Sequence, residues 1–400
     1  MEIVASGQKI CSYLQWSKAL FLLPLISLVT GAWEKYAIEN NEWLHEVKYI
    51  CHNAYEDLEV TPDLSIKFLN ASTLEISKCR KVTLHSNLFR RSYDLHSISI
   101  SQLDELSIDP ALSFPVSLQS LSLSSIESLD HFPVPGPSSA LLQSVKSLQL
   151  LSLENITIKA APTTSTSSFI DLPITKVHMN GVKFIGDIPA GMLHFNTNSL
   201  AQFTSTNCQF GDMVEGSIYI HASGNVNIDN CKFKSMQQES MKVYGQSISF
   251  NNNIFKNLHC THSIFIQGFL NVSITKNIFK SLDAPHALLL DANKNAAVYI
   301  KDNQLPCGCY ASNFIPAAPR TINQSNCAVQ HSITCALQQK QHCLQANGKN
   351  ETIQISRSEL PSCPDSETEP TSGSVGHGRV IGQNIVMVLY FSFLMIVHMI

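Results

Sequence analysis

Along the middle of the chain, hydrophobic and polar positions alternate in short bursts, and the bursts recur. Phe203-Thr-Ser-Thr-Asn-Cys-Gln-Phe210, Val226-Asn-Ile-Asp-Asn-Cys-Lys-Phe233, Ile248-Ser-Phe-Asn-Asn-Asn-Ile-Phe255, Val272-Ser-Ile-Thr-Lys-Asn-Ile-Phe279 and Val298-Tyr-Ile-Lys-Asp-Asn-Gln-Leu305 share one pattern, and Val177-His-Met-Asn-Gly-Val-Lys-Phe184 is an earlier copy. The last residue recurs at steps of 26, 23, 22, 24 and 26. A period of this size marks a solenoid, in which each unit buries its apolar side only by stacking on its neighbours. Within a unit the alternation has period two, which is strand chemistry. A second alternating run lies between the copies: Ser217-Ile-Tyr-Ile220, Met241-Lys-Val243, Ser263-Ile-Phe-Ile266 and Ala287-Leu-Leu-Leu290. No helical periodicity separates them, so each turn is predicted to carry at least two short strands and no helix.

Two positions before the terminal residue, the copies read Val182, Cys208, Cys231, Asn253, Asn277 and Asn303. In a parallel stack, equivalent residues lie about 4.8 Å apart. Three stacked Asn can bond amide to amide and to turn backbone, and the neighbouring Phe file can stack. Cys208 and Cys231 would be stacked neighbours, forming either a disulfide or two small buried apolar residues. The second is favoured, because parallel stacking aims both side chains the same way.

The Asn-x-Phe ends, paired short strands and turns of 22–26 residues resemble right-handed parallel β-helix repeats, the fold of pectate lyases and polygalacturonases. The resemblance runs from Val177 to Leu305 and concerns the fold. Upstream, Leu95-x-x-Ile98-x-Ile100-x-x-Leu103, Leu118-x-x-Leu121-x-Leu123-x-x-Ile126 and Val145-x-x-Leu148-x-Leu150-x-x-Leu153 look like leucine-rich repeats, with Leu74, Ile76, Cys79 and Val82 in the same register. The missing helices favour one continuous β-helix, with a leucine-rich-type start as the alternative. Segments 133–137 and 160–168 read as loops projecting from the stack.

An open solenoid end exposes strand edges and needs a cap. Trp33, Tyr36, Trp43, Leu44, Val47 and Ile50 fall at roughly helical spacing, which predicts an N-terminal capping helix within 33–60. Cys51 and Cys79 are placed to tie it to the first coil. Cys307, Cys309, Cys327, Cys335, Cys343 and Cys363 predict a disulfide-held C-terminal cap, whose Cys-x-Cys opening resembles the caps of extracellular leucine-rich repeats. Their spacings lack the paired Cys-x-x-Cys knuckles of a zinc site. With Cys11 in the removed signal an odd number of thiols remains, and Cys260 is the candidate left unpaired.

Both termini carry targeting chemistry. Lys9 and Lys18 precede an apolar run from Ala19 to Ala32, too short to span about 30 Å of hydrocarbon, and Thr30 and Ala32 prepare a cut before Trp33. At the other end, Ser372, Gly373 and Ser374 precede a spacer and then an apolar tail, the arrangement for replacement by a glycosylphosphatidylinositol anchor. A single-pass span is the rival. Asn70, Asn155, Asn271, Asn323 and Asn350 begin Asn-x-Ser/Thr triplets and become glycan candidates on export. The organisation read from these signals is a signal peptide (1–32), an N-terminal cap (33–60), a solenoid (61–305), a Cys-rich cap (306–363), a stalk and anchor-site spacer (364–384) and an apolar tail (385–400).

Composition narrows the function. The 400 residues are 14 % charged and 44 % hydrophobic, with a formal net charge of −4. This leaves no basic stripe of the kind a nucleic-acid binder needs, and the chain is too apolar for disorder. The fold resemblance invites a polysaccharide-active enzyme. Polygalacturonases need paired Asp plus Gly-His-Gly, because one carboxyl serves as acid and another as base. No Asp-Asp pair occurs, and Gly376-His377-Gly378 lies in the spacer that anchoring would remove. Glu239, His262 and His286, 23 and 24 residues apart, are the one column of candidate chemistry, which stacking would bring to adjacent positions on one face. Two His and a carboxylate can hold a metal or move a proton, while solvated turn residues are the simpler reading. No cofactor is implied. The expected function is a non-enzymatic, lipid-anchored glycoprotein on the extracellular face of the plasma membrane. Its solenoid would serve adhesion or recognition of a protein or glycan. A polysaccharide-active β-helix enzyme and a secreted matrix protein are the alternatives.

Overall fold

The structure, a computed structural model, describes residues 36–41, 45–52, 55–63, 70–130, 132, 142, 144–146, 148–159, 173–291, 296–306, 341–344 and 350–353. All belong to the first of two units into which the chain divides at Leu360. The fold is an all-β parallel solenoid of the right-handed type. Among the described residues there is no helix.

Each turn builds two or three faces. The first face stacks Glu46–Cys51, Thr73–Ser77 and the leading parts of Ser97–Ile108, Ser120–Asp130 and Leu148–Lys159. It continues through Ile174–Asn180, Gln202–Thr206, Asn225–Asp229, Ser247–Asn251, Asn271–Thr275 and Ala297–Lys301. The second face follows it around a bend, from Asp57–Val60 and Lys81–Leu84 to Lys232–Met236, Ile254–Leu258, Ile278–Leu282 and Gln304–Pro306. A third face of five strands closes only the later turns: Leu193–Asn196, Ile218–His221, Met241–Tyr244, Ile264–Gln267 and Leu288–Asp291. Parallel pairing therefore runs unbroken from Glu46 to Pro306, which is the continuous β-helix reading. The loops expected at 133–137 and 160–168 lie outside the described residues.

The bend between the first two faces has one cause in ten successive turns, from Thr73–Ser77 onward. Lys78, Gln102, Ser125, Asn155, Gly181, Asn207, Asn230, Asn252, Lys276 and Asp302 all have φ between 52° and 67°. A left-handed residue turns the chain sharply without a loop, and Asn, Asp and Gly tolerate it best. At Gly181 a Cβ would overlap Asn155 Oδ1, so a side chain there would require the Asn155 amide to move. Side chains reinforce the corner, with Asn230 Nδ2 donating to Asn207 Oδ1 (2.6 Å) and Asn207 Nδ2 to Asn180 Oδ1 (3.0 Å).

Inside, equivalent residues form files. Phe184, Phe210, Phe233, Phe255 and Phe279 stack with successive ring centroids 5.1, 4.8, 4.8 and 4.9 Å apart, and Leu305 continues the file as a fully buried residue. Beside it Asn253, Asn277 and Asn303 are fully buried. Asn277 Oδ1 accepts from Asn253 N–H (2.9 Å) and Nδ2 (3.0 Å), and Asn277 Nδ2 donates to Phe250 O (2.9 Å). Cys208 and Cys231 stand in the same file and are unpaired. The Cys231 thiol lies 3.4 Å from Ser205 O, which is the register equivalent of the Ile228 carbonyl that Asn253 Nδ2 reaches at 2.8 Å. The thiol thus occupies an amide's place in the ladder. Its hydrogen bond with Cys208, and then burial, raise its pKa and keep it protonated.

The N-terminal end corrects one expectation. No helix caps it. Tyr36–Asn41 and Glu46–Cys51 form an antiparallel hairpin, and Glu46–Ile50 already stacks in parallel on Thr73–Ser77. The physical reason is the period: Val47, Tyr49 and Cys51 are buried and the residues between them are not, which only a strand satisfies. Cys51 and Cys79 form a disulfide across 28 residues, joining the first two turns. Trp33, Trp43 and Leu44 lie outside the described residues. So do the side chains of Cys307, Cys309, Cys327, Cys335, Cys343 and Cys363. At the other end Gln341–Leu344 pairs with Gln304–Pro306, and Asn350–Ile353 folds back on it.

Replacing Asn277 by Ala removes four buried hydrogen bonds and strands their partners. Urea denaturation is expected to show a loss of about 3 kcal/mol or more. Cys231→Asn, which extends the amide ladder, is expected to leave the midpoint unchanged or raise it.

Candidate functional site

The third face is where the solenoid shows chemistry to solvent. Its inward residues, such as Ile218, Ile220, Met241, Val243, Ile264 and Ile266, are buried in the core. Pairing of the strands forces the outward residues into two columns. One reads His194, Tyr219, Lys242, Phe265, Leu289, and the other Asn196, His221, Tyr244, Gln267, Asp291. The rings touch in a chain that crosses between columns. His194 and Tyr219 have centroids 4.6 Å apart, Tyr219 and Tyr244 5.3 Å, His221 and Tyr244 5.6 Å, and Tyr244 and Phe265 6.3 Å. The interplanar angle opens from 30° to 42° to 69° along the chain from His194 to Phe265. His194 and Tyr219 are stacked, and the later pairs open to tilted and then edge-on, so the ladder fans out toward Phe265. His221 Nδ1 lies 3.3 Å from Asn196 Oδ1, and Lys242 Nζ pairs with Glu239 at 2.5 Å. Burial, with the neighbouring Tyr244, raises the Tyr219 pKa and keeps its hydroxyl a neutral donor. An array of half-exposed amphipathic rings, edged by amides, imidazole and carboxylate, suits a ligand with both apolar faces and hydroxyl or amide groups.

The column of Glu239, His262 and His286 is real, and it lies at the entry to this face. Glu239 N–H donates to His262 O (2.9 Å) and His262 N–H to His286 O (2.8 Å), with Gly191 and Gly216 in the same file. What these five share is φ between 48° and 75°. They are the second left-handed corner of the five turns that carry the third face, and the Glu239 carboxylate is held by Lys242. Among the described residues, no three His, Cys, Asp or Glu side chains converge as metal ligands do. His286 keeps the register of Glu239 and His262.

Next to this corner the sequence reading missed a polar cluster. His259 Nδ1 lies 2.6 Å from Asp283 Oδ2, and Ser281 Oγ donates to Asp283 Oδ1 at 2.5 Å. The residues sit one turn apart, so only the register shows the contact. Ser281, and then His259, lower the Asp283 pKa. Cys260, adjacent in sequence, is unpaired and half-buried.

Of the glycan candidates, Asn70, Asn155 and Asn271 are exposed. Asn70 precedes a first-face strand, Asn155 lies at the first corner and Asn271 opens a first-face strand, so none is on the third face. The side chains of Asn323 and Asn350, and the anchor candidates Ser372, Gly373 and Ser374, lie outside the described residues.

A carboxylate with a lowered folded pKa stabilises the fold above its unfolded value and stops doing so as the pH falls through the folded one. Asp283→Asn is therefore expected to cost under about 1 kcal/mol at pH 7, because the pair is well exposed. By urea unfolding, that difference should shrink as the pH falls below the ordinary Asp range and vanish once it has passed the lowered folded value, where the wild-type carboxylate is also neutral. No family model, curated protein or solved structure matches this chain.

Proposed function

We propose that this chain is a non-enzymatic glycoprotein, exported and lipid-anchored at the extracellular face of the plasma membrane, whose third face recognises an extracellular glycan or protein. One observation carries the reading: the fanned ladder of His194, Tyr219, Tyr244 and Phe265, half-exposed on a rigid sheet. Ordered rings lose little entropy on binding, and their hydroxyl and imidazole groups stay available for hydrogen bonds. The exposed sequons lie on other flanks, so glycans there would leave this face open. The resemblance to pectate-lyase-like β-helices supports the scaffold, and the run from Cys307 to Cys363 supports a disulfide-held cap as the end nearest the stalk. Glu239, His262 and His286 take a corner-forming role in this reading.

Two measurements test it. Treating cells with a phosphatidylinositol-cleaving phospholipase is expected to release the mature protein into the medium, and retention would overturn the anchor. On a glycan array and a panel of extracellular proteins, Tyr219→Ala with Tyr244→Ala is expected to weaken binding by about tenfold or more, the loss of two ring contacts. Binding that survives both substitutions, or turnover of a bound polysaccharide, would overturn the third-face reading.

A further inference from the structure

The second face carries a repeated tetrapeptide: Phe233-Lys-Ser-Met236, Phe255-Lys-Asn-Leu258 and Phe279-Lys-Ser-Leu282. The Phe and Met or Leu residues are buried. Phe233, Phe255 and Phe279 are register partners, as are Ser235, Asn257 and Ser281. Lys234, Lys256 and Lys280, enclosed between those two files, therefore form one exposed column at steps of about 4.8 Å. Like charges opposed in register destabilise a sheet. Elsewhere on the solenoid Lys48, Lys81, Lys159 and Lys242 each face a carboxylate. Here only Lys234 does, at 2.6 Å from Asp212, with Asp187 contributing at longer range. Among the described residues Lys256 and Lys280 have no carboxylate within ion-pair distance, and Asp283, three residues after Lys280, is engaged by His259 and Ser281.

Three turns thus repeat an unfavourable arrangement in a protein of net negative charge. A bound polyanion would offset it. Lys232 extends the positive charge beside the column, followed by Ile254 and Ile278, and Ser235, Asn257 and Ser281 flank its other side. Cations in a line along the solenoid axis, with hydroxyls and an amide on one side and small apolar groups on the other, match a linear sugar polymer bearing regular anionic groups. We propose that the second face binds a sulfated linear polysaccharide running along the axis across Lys234, Lys256 and Lys280. The column does not extend N-terminally, because at its next position a side chain on Gly211 would overlap the Gly186 carbonyl.

This proposal rests on the extracellular reading above but uses a different face from the ring ladder. The test applies the full chain to immobilised heparin, with uncharged dextran as the control matrix. Wild type is expected to bind heparin and elute with salt, as screening requires. Lys234→Gln with Lys256→Gln and Lys280→Gln is expected to weaken binding by about tenfold or more while leaving the melting temperature unchanged or higher. Tyr219→Ala with Tyr244→Ala is expected to bind heparin as wild type does, so failure of either face is separable from failure of the other. Equal retention of the triple variant would overturn the proposal. So would passage of the wild type through heparin together with its sedimentation on phosphatidylserine vesicles.

Discussion

Everything in this molecule follows from in-register parallel pairing of successive turns. Because each strand bonds to the same strand one turn away, a residue's nearest neighbours are its own equivalents. A favourable residue is multiplied into a file: five Phe stack and three Asn form a continuous amide ladder. An unfavourable choice is multiplied as well, which is why a buried polar position must be satisfied in every turn at once, and why a column of lysines stands out. The corners obey the same rule. One left-handed residue per turn would be a local strain, but ten in register make an edge along the whole solenoid.

This rule explains what could be read from the chain before its structure. Phe184 to Leu305, the Asn ladder and the unpaired Cys208 and Cys231 are contacts between equal positions of a repeat, so period alone locates them. The strands of the third face were legible for the same reason. Their outward residues were not singled out, although alternation around Ile218 and Ile220 already places Tyr219 and His221 outside. The N-terminal segment misled because it is not a copy of the repeat. Val47 and Ile50 three apart imitate a helix, and only the burial of Val47, Tyr49 and Cys51 reveals the strand.

The candidate site was half legible. Stacking of Glu239, His262 and His286 followed from their spacing, but spacing does not reveal backbone conformation, and φ is what these residues have in common. The contact of His259 with Asp283 depends on register between adjacent turns of 24 residues, where one inserted residue would abolish it. The first corner was hidden by its composition: Lys78, Gln102 and Ser125 carry no signature, and only from Asn155 onward do Asn and Gly announce it.

The faces differ in what they offer water. The first is lined outward by short hydroxyl and amide side chains such as Ser99, Ser122, Thr204, Asn227, Ser249 and Ser273. The second bears cations and the third rings, so a single scaffold separates three kinds of surface around its girth.

The disulfide between Cys51 and Cys79 has a mechanical meaning. Backbone hydrogen bonds in this solenoid point along its axis, so an axial pull loads turns in series and peels them from an end, one at a time. Covalent closure of the first turn onto the second removes one of those two starting points. Under tension, unravelling from the amino-terminal side must then break a chemical bond or begin further in, where every turn is gripped from both sides.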